Sequence, residues 1–216
     1  MMDLKSKYGF SLIEFINRDL QLDEYTINLI SDNCKELTFA KGDIILKQGE
    51  VSKYAYFIVS GEGRSFYTDF TGKTTTWLFH FNNASSNIKN LFMVDYKSFL
   101  TGKPGTLGIE TLSEVKAVRL SYKQVRLLLK HSPSYEKWTR LLNEKVFIVA
   151  YNRVFTLLTM NATQRYEKLL AEEPYLLILF SNYYIASYLN ITPQSLSRIR
   201  KNLVKIPISG HGQVSH

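Results

Sequence analysis

The stretch YIASYLNITPQSLSRIRKNL, residues 184–203, carries two helical periods separated by a break. Ile185, Ala186 and Leu189 give the first period an apolar face, with a small residue where a second helix must come close. Asn190 and Ile191 form the break. Thr192 is a suitable N-cap, because its hydroxyl can accept one of the unpaired N–H groups of a first helical turn. Pro193 fits the position just inside, where a missing N–H costs nothing. A second helix therefore starts there by local chemistry. Leu196, Ile199 and Leu203 form its inner side and leave Gln194, Ser195, Arg198, Lys201 and Asn202 facing outward.

Two helices joined by a tight turn fit a helix-turn-helix, in which the second helix lies in the major groove and the first crosses the backbone. Thr192, Gln194, Ser195 and Arg198 have the base-facing placement; glutamine can bind adenine, and arginine guanine, through paired hydrogen bonds. Thr192, Ser197, Arg200 and Lys201 are placed for phosphates, which set register and salt dependence. The net charge of +8 is concentrated here: no Asp or Glu occurs from Ser181 onward, whereas Arg198, Arg200, Lys201 and Lys205 lie close together. Double-stranded DNA is the expected partner. Spacing alone leaves a second reading open, a partner- or membrane-binding adaptor that uses the same basic helix without reading bases.

Upstream, a long helical pattern runs from about Ser134 to Thr159. Phe147, Tyr151, Val154 and Leu158 recur at spacings of four, three and four, and Leu142, Val146 and Val149 form a second stripe beside them. Such a helix is covered on two sides, either as an ordinary core helix or with one side on its own domain and the other on a second copy. The dimer reading assigns Leu142, Val146, Phe147, Val149, Tyr151 and Val154 to the pairing helix. A further helix, TQRYEKLLAEEP, is capped by Asn161 or Thr163 and closed by Pro174. From Leu37 to Leu120 the texture is different: short apolar or alternating runs punctuated by glycine, which predict many short hairpins closing into a roll or barrel. Residues 1–33 read as helical, with apolar spacing in Leu12, Ile13, Phe15 and Ile16 and again in Tyr25, Ile27, Leu29 and Ile30.

Composition removes several classes. With 45% apolar and 21% charged residues the chain is an ordinary globular one, which excludes disorder. No apolar run approaches the ~18 residues of a membrane span, and nothing at the start suggests export, so a cytoplasmic protein is expected. The single cysteine, Cys34, reads as a small buried hydrophobe. Barrel oxygenases and isomerases need two or three histidines plus a carboxylate on one metal, and only His80 lies in the β region; it reads as a packed or surface residue. No enzymatic activity, metal or cofactor is expected.

Residues 184–203 also resemble the C-terminal domain of the Crp/Fnr family of bacterial transcription regulators, through Tyr184, Ile185, Ala186, Leu189, Ile191, Thr192, Ser195, Leu196, Ser197, Arg198, Ile199 and Lys201. Thr163, Arg165, Tyr166, Leu169 and Pro174 look like the preceding helix in a subset of those regulators. Pro193 and Gln194 stand where the best-known members have Arg and Glu, which implies a different preferred DNA sequence. Lys41, Gly42, Asp43, Gly49, Glu50, Tyr56, Phe57, Ile58, Gly61 and Arg64 resemble the opening strands of the family's cyclic-nucleotide-binding roll. The resemblance implies an α+β architecture: a cyclic-nucleotide-binding-like β roll over residues 1–133, a dimerisation helix over 134–160 and a helix-turn-helix domain over 161–216. The last would be winged-helix-like, its wing reduced or absent because only about a dozen residues, Pro207 and Gly210 among them, follow Leu203.

A homodimer that regulates transcription with RNA polymerase as a partner is likewise implied. In that family ligand binding depends on a Gly-Glu pair on a short helix followed by Pro-Arg and a small residue. Here Tyr96 and Lys97 replace Gly-Glu, and Gly105 follows Pro104. The effector is therefore expected not to be cyclic AMP; another small molecule, or none, is left open. Lys97, Ser98 and Lys103 are the residues available to such a pocket, lysine lacking the planar fork that holds phosphate through two bonds.

Overall fold

The structure, a computed structural model, describes residues 9–204. Two helices, α1 (Gly9–Asn17) and α2 (Glu24–Asn33), precede the strands β1 (Lys35–Phe39), β2 (Ile44–Leu46), β3 (Tyr54–Ser60), β4 (Glu62–Thr68) and β5 (Thr74–Phe81). A single turn of helix, α3 (Ile88–Leu91), leads into β6 (Phe92–Met93), and α4 (Tyr96–Thr101) separates that strand from β7 (Gly108–Thr111) and β8 (Val115–Ser121). Helices α5 (Tyr122–His131), α6 (Pro133–Thr159), α7 (Ala162–Glu172), α8 (Leu176–Leu179), α9 (Asn182–Tyr188) and α10 (Pro193–Val204) complete the described chain. Residues up to Phe155 form one compact unit and residues from Thr156 a second, the division falling inside α6. Among the described residues no helix is long and apolar enough to cross a membrane.

The strands of the first unit form two four-stranded antiparallel sheets, ordered β1-β8-β3-β6 and β2-β7-β4-β5. This is the roll expected from the glycine-punctuated runs. Gly61, at φ +93°, makes the abrupt turn from β3 into β4; an added Cβ would lie 2.0 Å from the Glu114 carbonyl oxygen, so only glycine fits. The first sheet is buried on both faces, which accounts for the unbroken apolar run of β3. Ile58, Val115 and Ala117 pack with Leu46, Met93 and Ile109. Phe57, Val118 and Leu120 pack instead with Leu12, Ile16, Ile30, Leu128 and Trp138 from the helices. Each buried Val, Leu, Ile, Phe or Met among these contributes roughly 1.5–3 kcal/mol of apolar transfer. Phe15 of α1 knits this second cluster, stacking on Phe57 at 5.4 Å and meeting Trp138 edge-on at 6.3 Å.

The helices of this unit begin where their caps dictate. Ser121 and Gln124 form a reciprocal capping box for α5. Helix α6 starts with Tyr135 and Trp138 buried in the core, and further along Arg153 donates to the Thr76 carbonyl of β5 at 3.1 Å, fixing the helix to the roll.

Candidate DNA-binding face and effector cavity

The second unit is small, and its core is made by Tyr166 and Leu169 of α7, Leu176, Phe180, Ile185, Ala186 and Leu189, with Leu196 and Ile199 of α10. Ala186 is completely buried, as a close helix approach requires. The turn after α9 closes through Asn190, whose φ of +53° makes it the one non-glycine residue with positive φ among the described residues. The Ile191 N–H then donates to the Ala186 carbonyl at 3.0 Å. Arg165 braces the same turn from α7, its Nε donating to the Leu189 carbonyl at 3.0 Å. Thr192 caps α10: its hydroxyl oxygen accepts from the Ser195 N–H at 3.1 Å.

With its inner side anchored by Leu196 and Ile199, α10 exposes Thr192, Gln194, Ser197, Arg198 and Lys201 together. Ser195 is half-buried and occupied in the cap, where its hydroxyl meets that of Thr192 at 3.0 Å. Arg200 turns the other way. Its Nε donates to the Tyr166 hydroxyl at 3.0 Å and an Nη to Asn182 Oδ1 at 2.7 Å, with the guanidinium 5.5 Å from the Tyr166 ring. It therefore braces α10 against α7 and α9 rather than joining the outward row. The expectation about the wing concerns residues that lie outside those described.

Helix α6 separates its two apolar stripes. Leu142, Val146 and Val149 are half-buried and line a cavity in the first unit. Phe147, Tyr151 and Val154 are exposed, and Phe147 is 70% so. Ile148 and Phe155, which the sequence reading passed over, extend the same exposed stripe. The rings of Phe147, Tyr151 and Phe155 follow one another at 6.4 and 6.1 Å along the helix. Exposed apolar stripes of this kind are uncommon on the surface of a monomer.

The segment Asp95–Leu107 is closed on itself by one buried carboxylate. Asp95 caps α4, its Oδ1 accepting from the Ser98 N–H at 3.0 Å while its Oδ2 accepts from Thr106 and Leu107 N–H at 2.9 and 3.1 Å. Gly105 is needed for this, since a Cβ there would lie 2.4 Å from Asp95 Oδ2. The Ser98, Thr106 and Leu107 amides are thus satisfied within the segment itself. Ser98 is buried in the same tie: its hydroxyl donates to the Lys103 carbonyl at 2.6 Å and accepts from the Ser52 N–H at 2.9 Å. Of the three residues expected at a pocket, only Lys97 lines the cavity; Ser98 and Lys103 do not.

That cavity, of about 720 Å³, lies among β5, α3, α4, α5 and α6, with Trp77, Phe92, Phe99 and Trp138 among its walls. His80 also lines it. This side chain is 1% exposed; Nε2 shares a 3.1 Å hydrogen bond with Ser65 Oγ and Nδ1 has no partner. Burial pushes its pKa down to about 3, so the imidazole is neutral. Sequence reading missed the cavity because its lining residues are scattered from Leu12 to Ala150 and converge only in three dimensions.

Comparison with known proteins agrees with the architecture. Residues 36–132 match the family model of the cyclic nucleotide-binding domain. The chain is similar to the solved structure of FixK2 from Bradyrhizobium japonicum, with 18% identity over 83% of this chain and 89% of that one and a TM-score of 0.66. It is also similar to a CooA mutant from Carboxydothermus hydrogenoformans, with 13% identity, coverage of 94% and 88% and a TM-score of 0.68. A third similar structure is a Eubacterium rectale protein described as a transcriptional regulator of the Crp/Fnr family, with 16% identity, coverage of 85% of both chains and a TM-score of 0.62. No curated protein matches the chain. The fold is therefore α+β, a cyclic-nucleotide-binding-type β roll followed by helices, as in Crp/Fnr regulators.

Proposed function

We propose that the chain is a sequence-specific DNA-binding transcription regulator of the Crp/Fnr type that acts as a homodimer in the cytoplasm. The observation that carries this reading is the outward row of α10. Gln194 and Arg198 stand exposed near the start of a capped helix whose opposite side is locked into a small core, which is the placement of a recognition helix. Gln194 and Arg198 read base edges, while Thr192, Ser197 and Lys201 meet phosphates; Ser195 preserves the cap and Arg200 sets the tilt of the helix. Two chains pair along the exposed stripe Phe147, Tyr151, Val154 and Phe155 and present two recognition helices to a pseudo-palindromic site. RNA polymerase is the partner on which the bound dimer acts.

The first unit serves as the sensor, and its effector is not a cyclic nucleotide, because Asp95 already fills the amide nest at α4 with a carboxylate. The direct test is Arg198→Ala. A groove-bound helix loses preference at one base position, by about 1–3 kcal/mol, whereas an adaptor that uses the helix as a charge patch weakens uniformly on every sequence.

A further inference from the structure

We propose that the cavity of the first unit binds a small carboxylic acid with an extended or aromatic apolar body, an assignment that rests on reading this unit as the sensor of the regulator. The volume, about 720 Å³, lies within the ~300–1,000 Å³ typical of small-molecule sites. Trp77, Phe99, Trp138, Leu142 and Val146 form walls that favour hydrocarbon or ring surface. A ribose or a phosphate placed among them would leave buried polar atoms without partners, at a large desolvation cost. His80 with Ser65 supplies one neutral polar contact, and the unpartnered Nδ1 leaves that imidazole with hydrogen-bonding capacity in reserve.

The charge at the rim selects the head group. Three cations line the cavity, Lys89 of α3, Lys97 of α4 and Arg126 of α5; Lys97 and Arg126 are exposed, and among the described residues neither of these two is engaged in an ion pair. The one acidic residue among the lining, Asp95, has both oxygens held by backbone amides. An apolar interior lined by three cations, two of them exposed, fits an amphipathic anion: the body enters and the carboxylate stays at the rim. Because Leu142, Val146, Val149 and Ala150 line the same cavity, a bound acid presses on the inner side of the helix whose outer stripe pairs the chains.

The protein carries its own reporter, since its two tryptophans, Trp77 and Trp138, both line the cavity. Sodium decanoate is titrated into the full-length protein while tryptophan emission is followed, with 1-decanol as the neutral analogue and cyclic AMP as the polar anion. The expected result is a saturable change with decanoate, weaker binding of decanol and none of cyclic AMP. Lys97→Ala combined with Arg126→Ala, both at exposed positions and checked for folding by circular dichroism, weakens decanoate about tenfold and leaves decanol unchanged. Equal binding of acid and alcohol, indifference of the acid to the double variant, or no binding to folded protein would each overturn the assignment. The titration needs no DNA, so a chain that takes the acid but ignores every duplex would sink the regulator reading and leave the ligand assignment standing.

Discussion

Acidification should unfold the first unit through His80 by an amount that can be worked out in advance. The buried imidazole has its pKa pushed down to about 3 from an ordinary 6.5, so the folded unit keeps it neutral while the unfolded chain protonates it. A depressed histidine pKa contributes stability that is fully present above pH 6.5 and is lost as pH falls toward 3. Integrating the difference in bound protons gives a loss of about 1 kcal/mol at pH 5.5 and about 3 kcal/mol at pH 4.5. Urea unfolding followed by tryptophan emission reports this unit alone, because Trp77 and Trp138 both belong to it. His80→Gln keeps a polar group beside Ser65 but cannot take a proton, so the wild type minus the variant isolates this residue from the other titrating groups. A difference that stays flat between pH 7 and 4.5 would refute the reasoning and show that the imidazole is hydrated or paired.

Four further outcomes follow from the geometry. Asn190→Val should cost the second unit about 1–2 kcal/mol more than Asn190→Gly does because of the positive φ, as read from thermal melts by circular dichroism. Gly105→Ala should destabilise the first unit by about 1–3 kcal/mol, since the new Cβ overlaps Asp95 Oδ2. Glu110→Gln should cost that unit about 3 kcal/mol in urea unfolding by stripping the 2.6 Å ion pair from buried Arg64. Tyr151→Glu should shift the chain to monomers in sedimentation velocity while its circular dichroism spectrum stays that of the folded chain, because the ring is 59% exposed in one chain.

What the sequence made legible was local. The Thr192-Pro193 start of α10, the inward spacing of Leu196 and Ile199 and the return to helical period at Ser121 are set by neighbouring residues, and the structure places those elements where the pattern put them. The β roll was legible as a class, because glycine-punctuated alternation over many short runs has few other solutions. What depended on distant partners was hidden. Nothing near Arg200 in the chain signals that Tyr166 and Asn182 will take up its guanidinium. Lys97, Ser98 and Lys103 lie close in sequence, yet the Asp95 carboxylate gathers the loop so that only Lys97 reaches the cavity. On α6 the two stripes were visible, but which faced the roll was decided by β5, through the Arg153 contact to Thr76.

Selection of bound duplexes from a random pool by the purified full-length chain tests the central claim most directly. The account predicts enrichment of an inverted repeat whose half-sites lie about one helical turn apart, roughly 34 Å. Arg198→Ala should blur one base in each half. Recovery of a pool no different from the input, or of a single half-site with no partner, would contradict it.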